Sequence, residues 1–82
     1  MKTNGTFIYF KLEGETAKTQ IWSCRNKKNG YELGQVKWYG PWRQYCYFMN
    51  SESVFNSTCL DFICQFLKDL NAKHKKTVRT GA

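Results

Sequence analysis

Apolar and polar residues alternate along the first half of the chain and recur at helical spacing in the second. In residues 6–12, Ile8, Phe10 and Leu12 fall on one side, with Phe7, Tyr9 and Lys11 on the other. This is the period of a strand. Glu13-Gly14-Glu15 interrupts the run. Residues 18–26 alternate again, Trp22 and Cys24 against Ile21, Ser23 and Arg25. Lys27-Lys28-Asn29-Gly30 reads as a turn, because Asn-Gly accepts the positive φ that tight hairpins demand. Residues 33–39 form a third strand, Gly40-Pro41 turns the chain, and residues 43–49 form a fourth. After a polar loop at 50–57, Leu60, Ile63, Leu67 and Leu70 recur at helical spacing, widened by Phe62 and Phe66. Thr58 with Asp61 reads as a capping-box start. Asp61 early and Lys73, His74 and Lys75 late complement the helix dipole.

The order β-β-β-β-α predicts an α+β fold, a four-stranded, mostly antiparallel sheet with one C-terminal amphipathic helix across one face. Residues 1–75 make one domain, and 76–82 a flexible basic tail. The helix covers one face of the sheet and leaves the other open. If Ile8, Phe10, Leu12, Trp22, Cys24, Val36, Trp38, Cys46 and Phe48 face the helix, the open face carries Phe7, Tyr9, Lys11, Arg25, Lys37, Tyr39, Arg43, Tyr45 and Tyr47. Hairpin register decides this, since a slip of one residue moves every side chain to the other face. A two-residue loop at Gly40-Pro41 sets Trp38 opposite Arg43 and Val36 opposite Tyr45. A three-residue loop, Gly40-Pro41-Trp42, sets Tyr39 opposite Arg43 and Lys37 opposite Tyr45, and puts the charges outside. In the same way, a strict two-residue turn at Asn29-Gly30 would pair Ser23 with Val36. Longer or bulged loops are expected, because they bury Trp22, Cys24 and Cys46.

Composition sharpens the picture of the open face. The chain has 82 residues, and aromatic side chains make up 17% of it, more bulk than one small core needs. Exposed aromatics indicate contact with a partner. The net charge of +7 favours polyanions or acidic proteins. Aromatic rings interleaved with cations suit single-stranded nucleic acid, the rings stacking on bases and the cations holding phosphate. The expected contact residues are Tyr9, Lys11, Arg25, Lys37, Tyr39, Trp42, Arg43, Tyr45 and Tyr47. Trp42 sits at the turn, either as a contact anchor beside Arg43 and Tyr39 or folded over the sheet end as a lid. Cross-strand aromatics that only stabilise an exposed face are the bland alternative.

Other chemistry is less well supported. Cys24, Cys46, Cys59 and Cys64 contain no C-x-x-C pair, and Cys59 and Cys64 lie about 140° apart on a helix. Buried free thiols are expected, with no metal and no cofactor. The lone His74, the scattered acids and the absence of a glycine-rich phosphate loop argue against an enzyme. There is no apolar run long enough to span a bilayer and no secretory start, so a soluble, cytoplasmic protein is expected.

The string Gly34-x-Val36-Lys37-Trp38-Tyr39-x-x-Trp42-Arg43-Gln44-Tyr45-Cys46, followed by a Phe, then Phe55, Cys59-Leu60 and Ile63, resembles a group of short uncharacterised bacteriophage and mobile-element proteins. The resemblance spans residues 19–71 and carries no known activity. It implies a phage or mobile-element setting, in which small basic proteins bind nucleic acid or block a host protein. The expected partner is therefore nucleic acid, DNA or RNA. The alternative is an acidic host protein, of defence or gene expression, met by the same face. Homodimerisation through that face is compatible with either.

Overall fold

A computed structural model describes the backbone of residues 2–80 and the side chains of 2–75. Four strands, β1 (Ile8–Glu15), β2 (Gln20–Asn26), β3 (Glu32–Tyr39) and β4 (Gln44–Met49), form one antiparallel sheet in the order β1-β2-β3-β4. One helix, α1 (Ser57–Thr80), follows and packs across one face. This is the α+β architecture expected from the alternation. The tail expected at 76–82 lies outside the described side chains.

Each hairpin departs from the simplest turn in a way that has a local cause. Glu13-Gly14-Glu15 does not end β1. The register shifts between Leu12 and Gly14, so Leu12 pairs with Trp22 and Gly14 with Ile21. The chain reverses instead at Thr16–Thr19, where the Thr16 hydroxyl accepts the Thr19 N–H at 2.9 Å and Thr16 donates its own N–H to the Thr19 carbonyl at 2.7 Å. Between β2 and β3, Gly30 takes φ 77° and donates to the Asn26 carbonyl at 2.7 Å. A register shift after Cys24 completes this turn. It sets Trp22 opposite Val36 and Cys24 opposite Gly34, so Trp22, Cys24 and Val36 share the helix-facing side.

The third hairpin overturns one expectation. Gly40–Trp42 forms a single 3-10 turn, for which the fixed φ of Pro41 is suited, and Arg43 closes it in the left-handed region at φ 51°, its N–H donating to the Gly40 carbonyl at 3.1 Å. Four residues therefore connect the strands. Trp38 pairs with Tyr45, Val36 with Tyr47, Lys37 with Cys46 and Tyr39 with Gln44. Tyr45 and Tyr47 consequently face the helix, and Cys46 and Phe48, expected in the core, lie on the open face. A side chain's face depends only on whether the loop is even or odd. The four-residue turn thus has the same consequence as the two-residue one.

The helix also begins earlier than expected. Asn56, not Thr58, is the cap: its side-chain oxygen accepts the Cys59 N–H at 2.8 Å while its carbonyl accepts the Leu60 N–H at 3.0 Å. The buried stripe is Cys59, Ile63, Phe66 and Leu70, and Leu60 is 50% exposed. Phe66 is the centre of the core. It stacks on Phe10 with centroids 3.9 Å apart and meets the edge of Trp22 at 5.3 Å. Burying such a ring is worth about 2–3 kcal/mol.

The four cysteines are free thiols. Cys24 and Cys59 are buried, Cys46 is half-buried and Cys64 is exposed, so the expectation of burial holds for two of the four. Burial pushes the Cys24 thiol up to about 11. Because the thiolate is the reactive form, a maleimide at neutral pH should modify Cys64 first and Cys46 more slowly. Cys24 and Cys59 should react only at the rate of unfolding. Intact-mass time courses in buffer and in urea will show whether two sites are protected. Raising the pH from 7 to 9 should leave Cys24 protected.

Candidate binding surface

The open face is built by alternate residues of all four strands. Lys11, Ser23, Gln35 and Phe48 lie in one row across the sheet, and Lys37 lies opposite Cys46 in the next. Tyr9 pairs with Arg25 at the β1 side. The face is not free of acid, as the alternation had implied. The Arg25 guanidinium lies 3.7 Å from the Glu13 carboxylate, donates to the Ser23 hydroxyl at 3.0 Å and donates to the Gly30 carbonyl at 3.0 Å. Ser23, buried beneath it, donates to Glu13 at 3.1 Å. Arg25 is thus held in place to staple the β2–β3 turn, and its charge is partly neutralised.

Toward β4 the face changes character. The Lys37 ammonium stands 4.6 Å from the centre of the Phe48 ring. Tyr39 meets Phe48 edge-on at 5.9 Å and Trp42 edge-on at 5.2 Å. Such contacts are worth roughly 0.5–1.5 kcal/mol each and fix ring orientation. Trp42 remains 66% exposed, so it is not a lid over the core. Lys37, Tyr39 and Trp42 therefore come together as expected, and Arg43 is exposed beside Trp42. Phe48 joins them in place of Tyr45 and Tyr47.

Those two tyrosines serve the interior. The Tyr45 hydroxyl accepts the Gln20 N–H at 3.0 Å, its ring meets the edge of Trp38 at 5.4 Å, and burial raises its pKa. Tyr47 packs edge-on to Phe55 at 5.7 Å, with its buried hydroxyl beside the Cys24 thiol and no nitrogen or oxygen partner. Burial raises its pKa strongly.

Trp42 is a corner. Around it, between β4 and α1, runs a groove of about 850 Å³. Arg43 enters it from the turn, and Lys68, His74 and Lys75 from the helix, with no Asp or Glu in its walls. His74 does not simply point to solvent at the helix end. Its ring lies 4.4 Å from that of Trp38. Asn71 donates to the Tyr45 carbonyl at 3.3 Å and accepts the Tyr45 N–H at 2.7 Å, tying α1 to β4. Hydropathy did not single out Lys68, Asn71 or Lys75. Their common face with Cys64 could have been read from the 64-68-71-75 spacing. Among the described residues no cluster of His, Cys, Asp or Glu could hold a metal ion, and no helix is long and apolar enough to cross a membrane.

Fold and surface together define a small, basic α+β protein with one aromatic, cation-rich sheet face and an acid-free groove beside it. The chain is similar to an uncharacterised 9.3 kDa protein of Acholeplasma phage L2, with 29% identity over 76 residues, covering 93% of this chain and 97% of that protein. The similarity therefore extends beyond residues 19–71. No protein-family model matches the chain, and no solved structure matches it.

Proposed function

We propose that the chain binds single-stranded nucleic acid on the β4 side of its open face, with Trp42 as the principal stacking residue. The supporting observation is the cluster in which Trp42, largely exposed, is held edge-on by Tyr39, with exposed Arg43 next to it in the chain and Lys37 over the Phe48 ring that Tyr39 also touches. Aromatic faces fixed in this way give sequence-tolerant stacking, and the flanking cations lie where a phosphate backbone would pass. Lys11, in the same row as Phe48, extends the positive track across the sheet, and Tyr9 offers a further ring. Arg25 contributes little, because its guanidinium is already engaged. The likeness to a small phage protein fits a compact accessory factor.

Fluorescence anisotropy of a labelled mixed-sequence oligonucleotide, read across a salt series, tests the reading. Affinity should fall steeply as salt rises. Arg43→Ala should lower the slope of log affinity against log salt by about 0.7 for one lost phosphate contact. Trp42→Ala should remove roughly 1–3 kcal/mol of binding with the slope unchanged. Absence of binding at low salt, or binding that ignores both substitutions, would reject this function.

A further inference from the structure

The two edges of the sheet are treated differently by the chain itself. At β1 the N-terminal segment folds back as a partial strand. Phe10 donates its N–H to the Thr3 carbonyl at 2.8 Å, Gly5 donates to the Ile8 carbonyl at 2.9 Å, and Asn4 pairs with Tyr9. At β4, among the described residues, the one such cover is Asn71. Asn50 donates to the Leu33 carbonyl at 3.0 Å, which sets the alternation of the ladder. Gln44, Cys46 and Phe48 bond toward β3, and Tyr45, Tyr47 and Met49 turn their N–H and C=O groups outward. Asn71 satisfies Tyr45. Among the described residues, nothing satisfies the outward backbone groups of Tyr47 and Met49.

On the helix-facing side of this edge and along α1, apolar side chains are exposed among the described residues. Leu60, which the sequence pattern places with the core, is 50% exposed, and Met49 is 57% exposed. Cys64, one turn after Leu60 on the same side of α1, is also exposed and lines the groove with Leu67. A strand added beyond β4 would bond to Tyr47 and Met49 and place alternate side chains under these apolar ones. It would also lie along Arg43, Lys68 and Lys75, where no acid balances the charge.

We infer that the free edge of β4 takes an extended acidic segment of a partner protein as a fifth strand, its alternate apolar residues sheltering under Leu60 and Cys64. This goes beyond the nucleic-acid reading, uses the β4 edge rather than the sheet face, and shares Arg43 with it. Charge selects the occupant. A second copy would set the same cations of a +7 chain against each other, and could offer only its own Tyr47 and Met49 in return. Nucleic acid has no amide repeat to match the strand. An acidic strand meets the backbone spacing, the exposed apolar side chains and the cations together.

The test uses the full chain and a fluorescent peptide that alternates Val or Ile with Asp or Glu. Binding should slow amide hydrogen exchange at Tyr47 and Met49, and leave Cys46 and Phe48, already bonded to β3, unchanged. Lys68→Glu should weaken the peptide about tenfold or more. Met49→Pro, which removes one outward donor at an edge position where proline is tolerated, should abolish binding but leave oligonucleotide binding intact. A peptide N-methylated at alternate residues should fail against the unaltered protein, so the result does not depend on that variant folding. The inference is overturned if the peptide binds without protecting Tyr47 and Met49, or if the N-methylated peptide binds equally well. It is also overturned if those two amides are protected by self-association at high protein concentration or by an oligonucleotide instead.

Discussion

Tyr45→Ala should cost the fold about 3–5 kcal/mol, the range for deleting a buried aromatic ring. A chain of this length has a total stability of about 4–12 kcal/mol, so the variant should lose from about a quarter of its stability to all of it. The ring is 3% exposed and packs edge-on to both Trp38 and His74, and its hydroxyl satisfies the Gln20 N–H that opens β2. Deletion therefore leaves a cavity and an orphaned donor. Tyr45→Phe separates the two effects. It keeps the ring and removes only the acceptor, and should cost about 1–3 kcal/mol. Urea denaturation followed by tryptophan fluorescence will measure both. A loss below about 1 kcal/mol for the alanine variant would mean that Tyr45 lies on the open face and that the β3–β4 loop has an odd number of residues, since exposed substitutions rarely cost more.

That outcome turns on the feature of the chain hardest to read in advance. Strands and helix were legible because their periods, two and 3.6, persist through Ile8-Tyr9-Phe10 and through Ile63, Phe66 and Leu70. The faces of β1, β2 and β3 were legible too, since Trp22, Cys24 and Val36 give an apolar set only on one side. In β4 both sides look suitable for burial: Tyr45 and Tyr47 on one, Cys46 and Phe48 on the other. Pattern cannot choose between them, and the decision passes to the turn. There Arg43 adopts a left-handed conformation that a non-glycine residue seldom takes and that nothing in its type announces. The helix phase departs from the hydropathy pattern for a related reason. Leu60 is more hydrophobic than Cys59, yet the Asn56 cap starts the helix where Cys59 turns inward. The surface was partly legible on the same terms. Lys37, Tyr39 and Trp42 belong to segments with a clear face, whereas Phe48 entered their cluster through the β4 inversion. The groove residues Lys68 and Lys75 depend on how α1 lies against β4, which no local pattern encodes.

Gly34→Ala should be the second severe substitution, because it loads the same inverted face from the β3 side. Gly34 is buried opposite Met49, and a Cβ there would stand 2.5 Å from the Tyr47 hydroxyl, 2.6 Å from the ring carbon bearing it, and 2.7 Å from the Phe48 carbonyl. Nothing about its backbone requires glycine, so the constraint is one of space: the hydroxyl end of the Tyr47 side chain occupies the position that a side chain would fill. Tyr47 cannot easily move, since it is wedged against Phe55 and Cys24. Overpacking of this kind costs about 1–3 kcal/mol and sometimes more, and the backbone carbonyl contact places Gly34→Ala at the upper end. Partnership with Tyr47 predicts a non-additive double mutant. Tyr47→Leu alone should destabilise by leaving a void, but in the Gly34→Ala background it should cost markedly less, because the added methyl occupies part of that void. Full recovery is not expected, as the Phe48 carbonyl remains 2.7 Å away. Urea melts of the two single variants and the double variant give the coupling directly. If the losses add, Gly34 and Tyr47 are not in contact, and Tyr47 belongs on the open face with Lys37.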